Sequence, residues 1–198
     1  MMESLLLAFC SLVSVFYREG HWDLFLLIAA AAFLIGLICK VAGEREKDKR
    51  LTRADSFLVV TLSWVVFSVI GSIPYIFIAG MDVHSAFFES ISGFTTTGAT
   101  CMMDVDAMPH DLLFWRSLTH WIGGIGIVVF SFALIPSYEM KSSNVFSAEV
   151  TGLGVDKLRP KIGDTARRLL LIYMFLTAVC ALCYWLGPMD TFDSVCHA

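Results

Sequence analysis

Residues 86–100 read AFFESISGFTTTGAT, in which a run rich in aromatic and aliphatic side chains gives way to glycine, threonine and alanine. The overlapping residues 85–91, SAFFESI, are long enough for about two helical turns, and the residues after them carry little side-chain bulk. The surrounding segment, residues 80–111, is too apolar for an ordinary hydrophilic loop. Together these features predict a re-entrant loop, made of a short helix that dips into the membrane and an extended return.

The composition of the whole chain places it in a lipid bilayer. Hydrophobic residues make up 57% and charged residues 16% of the 198 residues, and the mean hydropathy is +0.73. An average soluble domain has about 25% charged residues. Four stretches are long enough to span a bilayer as helices, and a fifth is shorter: residues 22–40, 56–79, 112–136 and 165–186, and the shorter residues 5–17. The sequence therefore predicts an all-α membrane protein.

The basic residues are segregated along the chain. Twelve of the fourteen lysines and arginines fall in two connections between predicted spans: Lys40, Arg45, Lys47, Lys49, Arg50 and Arg53 in one, and Lys141, Lys157, Arg159, Lys161, Arg167 and Arg168 in the other. Only Arg18 and Arg116 fall on the opposite face, whose connections are acidic. Because basic loops are retained in the cytoplasm, the pattern predicts a multi-pass protein of the cytoplasmic (inner) membrane with both basic loops inside the cell.

A weak internal repeat suggests how the chain is organised. Met81-Asp82, after the third predicted helix, recurs as Met189-Asp190 at an offset of 108 residues, and internal repeats are common in transport proteins. We predict four regions: two preliminary helices and a basic loop (1–53), a first pore repeat (54–136) with its pore helix and filter at 85–100, a cytoplasmic loop (137–164) and the start of a second repeat (165–198). On this interpretation the chain ends inside a second pore helix, which predicts a fragment of a longer polypeptide.

The residues after the short helix suit a site that strips water from a monovalent cation. Rings of backbone carbonyls can replace the hydration shell of K⁺. Thr95, Thr96 and Thr97 favour extended backbone, and the hydroxyls of Thr96 and Thr97 could add oxygen ligands for K⁺. Gly98 admits a positive φ. The composition also fits a simple Gly/Thr-rich turn between helices, so both interpretations stay open at this point.

The residues flanking these four are assigned a supporting role in the predicted filter. They are Ser92, Gly93, Ala99 and Thr100. The short helix ahead of them would run inward with the negative end of its dipole toward the cavity, an orientation that favours a cation.

Three motifs resemble the membrane subunit of Trk-type potassium uptake systems, which are related to the Ktr and HKT transporters. They are the run at 86–100 quoted above, LLFWRSLTHWIGGIGIVV at 112–129 with Pro136 ending its helix, and RPKIGDTARRLLLIY at 159–173. The resemblance covers nearly the whole chain after about residue 51, with the motifs in the order and spacing of that family.

The resemblance implies a particular architecture and activity. Such proteins contain four helix–pore loop–helix repeats around one pore, usually in a homodimer, with a cytoplasmic nucleotide-binding regulatory subunit. By this resemblance Thr95, Thr96, Thr97 and Gly98 would be the first of four filter segments, with Gly98 at the position where glycine accompanies potassium selectivity. Three further pore loops would come from the remainder of the polypeptide. K⁺ would be the transported ion, with no cofactor, no catalytic residue and no nucleic-acid partner; membrane lipid would surround the chain.

Several other residues leave two interpretations open. Glu89 is an ionisable group in the predicted pore helix, and either a functional role or solvation in an outer vestibule fits it equally well. Asp104 and Asp106 could steer cations or could be ordinary solvated carboxylates. His84, His110, His120 and His197 share no metal-binding spacing, so we expect them to form interfacial hydrogen bonds.

Two further motifs have simpler explanations than their patterns suggest. The glycines of WIGGIG, residues 121–126, lie within a predicted membrane helix, so we expect close helix packing behind the filter and no nucleotide site. Cys180 and Cys183 form a C-x-x-C pair without further ligands, and we expect both thiols to pack as small apolar groups. Two rival functions remain, an intramembrane enzyme and a non-conducting membrane scaffold. The enzyme lacks a recognisable Ser–His pair, paired aspartates or an H-E-x-x-H motif.

Overall fold

A computed structural model describes residues 1–44, 53–134 and 162–198. In these residues all regular structure is helical, which confirms the predicted all-α class. The helices are α1 (Met2–Tyr17), α2 (Trp22–Glu44), α3 (Arg53–Gly71), α4 (Ile73–Phe77), α5 (Val83–Phe94), α6 (His110–Leu134), α7 (Ile162–Leu186) and α8 (Thr191–Cys196). The described chain forms two compact units, residues 1–123 and 124–198.

Within the described residues, three segments are long and apolar enough to cross a bilayer. They are Trp22–Gly43, Phe57–Phe77 and Arg167–Leu186, with mean hydropathies of 2.6, 2.1 and 2.3. They confirm three of the four predicted spans. Helix α1 is a shorter apolar helix of 16 residues, as the sequence indicated. The fourth span stays a prediction: α6 has 25 residues, but Pro136 and the predicted cytoplasmic loop at 137–164 lie almost wholly outside the described residues.

The predicted span at 56–79 contains a break between two helices, where we expected one continuous helix. Helix α3 ends at Gly71, and α4 begins after Ser72, with Pro74 in its first turn. Proline has no N–H to continue the hydrogen-bond ladder of a helix, and it is tolerated best in a first turn. The backbone N–H of Ile78 then closes α4 on the carbonyl of Pro74.

The core of the first unit is built where α5 and α6 meet α3 and α4. Tyr75, Phe94 and Trp115 are almost completely buried. The ring of Phe94 lies 6.0 Å from Phe67 and 6.3 Å from Trp115, centroid to centroid. The indole Nε1–H of Trp115 donates to the carbonyl of Gly71 at 3.0 Å and satisfies the buried ring nitrogen. This core fixes the end of α5, from which the predicted filter starts.

The connection between α1 and α2 is joined to the start of α6. The Glu19 carboxylate accepts hydrogen bonds from the backbone N–H groups of His110 (2.7 Å) and Asp111 (2.9 Å), which otherwise lack partners in the first turn. Burial alone would raise the pKa of Glu19, but these backbone donors outweigh burial and hold its pKa below its usual value. The Nδ1 atom of His21 lies 3.1 Å from an Asp111 carboxylate oxygen, and the Nδ1 atom of His110 lies 2.8 Å from a Glu19 carboxylate oxygen. Both histidines therefore take part in hydrogen bonds in this region. Our expectation is thereby confirmed for His110.

Helix α8 of the second unit and helix α5 of the first unit both begin with an aspartate N-cap. The carboxylate of Asp82 accepts from the backbone N–H of Ser85 at 3.1 Å, and that of Asp190 accepts from Asp193 at 2.7 Å. These are the two aspartates that recur at an offset of 108 residues. An aspartate before a helix satisfies its unpaired N–H groups. The shared cap is a parallel between the units, while the assignment of a second pore repeat stays a prediction.

Candidate cation filter

Helix α5 is longer than the predicted pore helix. It covers 12 residues, Val83–Phe94, where the sequence suggested residues 85–91. Ser92 and Gly93, which we assigned to the flank of the filter, therefore belong to the helix and are buried. The helix continues through Ser92, Gly93 and Phe94, and it ends where the backbone turns at Thr95 and Thr96.

The helix ends in a Schellman turn, in which the chain closes through a left-handed residue. The N–H of Thr97 donates to the carbonyl of Ser92, and the N–H of Thr96 donates to that of Gly93, both at 2.9 Å. Thr96 takes the left-handed position with φ 56°, and Thr95 has φ −83° and ψ 1°. Our expectation of extended backbone was therefore wrong for Thr95 and Thr96, because these two residues form the helix cap.

Three consecutive carbonyl oxygens are left without a hydrogen-bond donor after this turn. The carbonyl of Thr95 accepts from the Thr96 hydroxyl at 2.7 Å, and that of Ala99 accepts from the Ser92 hydroxyl at 2.6 Å. Between them, within the part of the chain that the structure describes, the carbonyl oxygens of residues 96–98 accept no hydrogen bond. All six residues from 95 to 100 are exposed. The segment thus presents free carbonyl oxygens that a cation could bind.

Side-chain hydroxyls brace the same segment. The Thr95 hydroxyl donates to the carbonyl of Ile91 at 2.7 Å and lies 2.8 Å from the Thr97 hydroxyl. Gly98 has a φ of 73°, and a Cβ built there would meet no atom within 4 Å. The space around Gly98 would admit a side chain, so the positive φ of its backbone is the reason that glycine is needed at this position. The structure therefore brings Thr95, Thr97 and Ser92 together around the predicted filter.

Glu89 anchors the far end of the segment. It is 1% exposed, and its Oε2 accepts from the Thr100 hydroxyl at 3.0 Å and from the Cys101 backbone N–H at 3.2 Å. Its Oε1 accepts from the Nε–H of Arg116 at 2.8 Å. Of the two interpretations left open for Glu89, solvation in an outer vestibule was therefore wrong. The carboxylate is a buried support that ties α5, the end of the filter and α6 together.

The sequence reasoning missed Arg116 as a partner. The charge pattern placed it only on the outer face, although ionisable residues within membrane segments commonly pair with one another. The two outer aspartates behave differently from Glu89. Asp104 accepts the backbone N–H of Ala107 at 3.2 Å within its own loop, and both Asp104 and Asp106 are exposed.

Helix α6 packs directly behind the predicted filter. A Cβ built on Gly93 would collide with the Thr119 hydroxyl, and one built on Gly123 would collide with the carbonyl oxygen of Phe94. The same Cβ on Gly123 would lie 3.0 Å from the Cγ2 atom of Thr96. The contacts of Gly123 confirm close packing behind the predicted filter for this one glycine of WIGGIG.

Comparison with known proteins identifies relatives over most of the chain. A family model described as a cation transport protein, TrkH, matches residues 27–197. The Trk system potassium uptake protein TrkH of Escherichia coli K12 is 39% identical over 190 residues, which cover 94% of this chain and 39% of that protein. The TrkG protein of the same strain is 34% identical over 188 residues, 93% of this chain and 39% of TrkG.

A solved structure agrees with these matches. The crystal structure of the potassium transporter TrkH from Vibrio parahaemolyticus superposes with a TM-score of 0.80 and 35% sequence identity, over 98% of this chain and 38% of that one. The chain therefore spans about two fifths of the length of the relatives that it matches. With a family model over most of its residues, the chain belongs to the TrkH family of cation transport proteins.

Proposed function

We propose that this chain contributes one segment of a K⁺-selective filter to a Trk-type potassium uptake protein, with Thr95, Thr96, Thr97 and Gly98 lining the ion path. The observation that carries the proposal is the row of carbonyl oxygens at residues 96–98, which accept no hydrogen bond in the described chain. The relatives named above are potassium uptake proteins, which agrees with it.

The electrostatics of the segment suit a cation. K⁺ enters a filter when carbonyl oxygens replace its hydration water without adding a fixed charge. The segment starts at the C-terminal end of α5, where the helix dipole is negative. The Glu89 carboxylate behind it is paired with Arg116, so it supports the segment without placing a net charge beside the ion path.

The complete transport path would need more than this chain. On the family resemblance, three further pore loops of the same polypeptide would complete the filter, the protein would form a homodimer in the inner membrane, and a cytoplasmic nucleotide-binding subunit would regulate it. The basic loops would face the cytoplasm. We retain the division into regions 1–53, 54–136, 137–164 and 165–198 as part of this proposal. Ser92, Gly93, Ala99 and Thr100 act as supporting residues in it.

The two rival functions have less support. The relatives are named as transport proteins, which argues against an intramembrane enzyme. A non-conducting scaffold would not need a strained threonine and three carbonyls free of hydrogen bonds in one exposed turn.

Substitution of Gly98 by serine tests the proposal in the full-length protein. A Cβ at a φ of 73° costs about 1–2 kcal/mol and should move the carbonyls of the filter. Because the displaced carbonyls no longer match K⁺, we expect the ratio of Na⁺ to K⁺ uptake to rise, by about tenfold for each 1.4 kcal/mol of lost preference for K⁺. Uptake of each ion is measured in cells that lack other potassium uptake systems.

Gly20→Ser is the matched control. Gly20 has a φ of 84° with nothing within 4 Å of a built Cβ, so the substitution brings the same backbone strain at a site far along the chain from the filter. It should leave ion discrimination unchanged. Equal selectivity in the Gly98→Ser variant and the unsubstituted protein, with both proteins present in the membrane, would refute the assignment of Gly98 to the filter.

A further inference from the structure

Three side chains that can each bind a metal meet where the connection between α1 and α2 touches the start of α6. They are Glu19, His21 and Asp111, and one donor atom of each lies within 4.8 Å of the donor atoms of the other two. Asp111 is completely buried, whereas Glu19 and His21 are partly exposed. The cluster is therefore closed on the side of Asp111 and open to solvent on the side of the other two residues.

The buried carboxylate of Asp111 has one oxygen atom without a partner. Its Oδ2 atom lies 3.1 Å from Nδ1 of His21, but its Oδ1 atom is buried and, among the described residues, has no hydrogen-bond partner. A buried polar atom without a partner is costly, and more so when it carries charge. Burial raises the pKa of this carboxyl group, and the nearby Glu19 carboxylate raises it further. The surroundings of Asp111 thus favour a positive charge beside Oδ1.

The Glu19 carboxylate keeps one position for a further partner. A carboxylate offers roughly four lone-pair positions. Its Oε1 atom accepts from the backbone N–H of His110 at 2.7 Å and lies 2.8 Å from the ring Nδ1 of the same residue, and its Oε2 atom accepts from the backbone N–H of Asp111 at 2.9 Å. The ring of His110 is itself stacked on Tyr17, with centroids 4.4 Å apart. These contacts hold the carboxylate in place and leave one lone-pair position on Oε2.

The donor set selects a class of ion. Mg²⁺ and Ca²⁺ prefer oxygen ligands alone, whereas one imidazole with two carboxylates suits Zn²⁺ and similar divalent ions. The 3.1 Å between Nδ1 of His21 and Oδ2 of Asp111 is close to the roughly 3.4 Å that separates neighbouring ligands of a tetrahedral ion with bonds of about 2.1 Å. Two carboxylates balance the charge of a divalent ion, and three protein ligands leave a fourth position for water.

We propose that Glu19, His21 and Asp111 bind a divalent metal ion of the Zn²⁺ class on the face that the charge pattern assigns to the outside of the cell. The ion is held by Oε2 of Glu19, Nδ1 of His21 and the carboxylate of Asp111, and it replaces the proton shared by His21 and Asp111. Because it joins the connection between α1 and α2 to α6, its binding stabilises the first unit. The site shares no residue with the candidate filter, and it does not depend on the proposed transport function.

Zinc titration of the full-length protein tests the site. The protein is purified in detergent without a histidine tag, stripped of metal and titrated with Zn²⁺ in a calorimeter. Asp111→Asn removes a charged ligand at constant size, and His21→Ala removes the imidazole. We expect each substitution to weaken one and the same Zn²⁺ binding event at least tenfold. The controls Asp106→Asn and His84→Ala change exposed residues outside the cluster and should leave that event unchanged.

Thermal unfolding separates metal binding from a purely structural role. Zn²⁺ should raise the unfolding temperature of the unsubstituted protein and should not raise that of Asp111→Asn, whereas a structural role would lower stability equally with and without Zn²⁺. Where a variant does not fold, an anomalous zinc peak between the three side chains in crystals of the unsubstituted protein decides the question. Equal Zn²⁺ affinity in all variants, or no zinc peak there at saturating Zn²⁺, would overturn the proposal, and carboxylates that share only a proton would give that result.

Discussion

At the scale of single residues, the most telling feature is the conformation of Thr96. A β-branched residue with a φ of 56° is an outlier, since this position of a helix end is usually given to glycine. Strain of this kind costs about 1–3 kcal/mol and persists where the surrounding structure enforces it. In the proposed filter, the hydroxyl of Thr96 donates a hydrogen bond to the carbonyl of Thr95, and the three carbonyls that follow remain available to a cation.

Replacing Thr96 by glycine should separate stability from function. Removal of the strain should raise the free energy of unfolding by about 1 kcal/mol, and loss of the hydroxyl should lower K⁺ selectivity. Thr97→Gly is the matched control, because Thr97 has no positive φ; it should be destabilising. Thermal unfolding in detergent and K⁺ uptake in cells measure the two effects. A Thr96→Gly protein less stable than the Thr97→Gly protein would contradict the account of strain.

Glu89 and Arg116 form the second residue-scale prediction. Glu89→Gln should lower the free energy of unfolding by about 3–5 kcal/mol, because the guanidinium of Arg116 loses its buried partner. Adding Arg116→Gln should recover part of that loss, since neither charge is then left alone. Asp106→Asn, at an exposed carboxylate, is the control and should change little. Chemical unfolding of Glu89→Gln, Arg116→Gln and the double variant gives the coupling energy, and additive losses in the double variant would argue against the pair.

At the scale of helices, the position of the proposed filter depends on how closely α6 approaches α5. That approach is possible because Gly93 faces the Thr119 hydroxyl and Gly123 faces the carbonyl of Phe94. A backbone carbonyl cannot turn away as a side chain can. The packing of α6 therefore sets where the turn at Thr95 and Thr96 lies.

Gly123→Ala should push α6 away from the filter. The added methyl group has no space beside the Phe94 carbonyl, and forcing an extra methyl into a packed interior costs about 1–3 kcal/mol. Gly43→Ala in α2 is the control, since nothing lies within 4 Å of a Cβ there; alanine should be neutral or should stabilise the helix by up to about 1 kcal/mol. A shift in the unfolding temperature measures both. Equal temperatures for the two variants would exclude tight packing at Gly123.

The sequence was sufficient for some elements of the fold and insufficient for others. Hydrophobic stretches of about 20 residues are a strong signal, so three spans and the helix before the filter could be predicted. The break before Pro74 could have been read from the proline, which sequence reasoning passed over. The Schellman turn could not be predicted, because threonine rarely takes its left-handed position. The pairing of Glu89 with Arg116 was also hidden, because it joins residues 27 positions apart through tertiary packing.

At the scale of the whole molecule, the distribution of basic residues makes a prediction about orientation in the membrane. In a cysteine-free background, a cysteine at Asp106 should react with a membrane-impermeant thiol reagent applied outside intact cells. A cysteine at Lys40 should react only after the membrane is opened, because basic connections stay in the cytoplasm. Both positions are exposed in the structure. The reverse pattern of labelling would contradict the predicted orientation, in which Asp106 lies outside the cell and Lys40 lies at the cytoplasmic side.

The central claim is that main-chain oxygens of residues 96–98 take the place of water around a monovalent cation. Crystals of the full-length protein grown with Tl⁺ or Rb⁺ in place of K⁺ test it most directly, since these ions give anomalous signals. We predict an anomalous peak on the pore axis in contact with the carbonyl oxygens of Thr96, Thr97 and Gly98. Carbonyls turned away from the axis, or a pore with no peak at their level while the ion is bound elsewhere, would contradict the account.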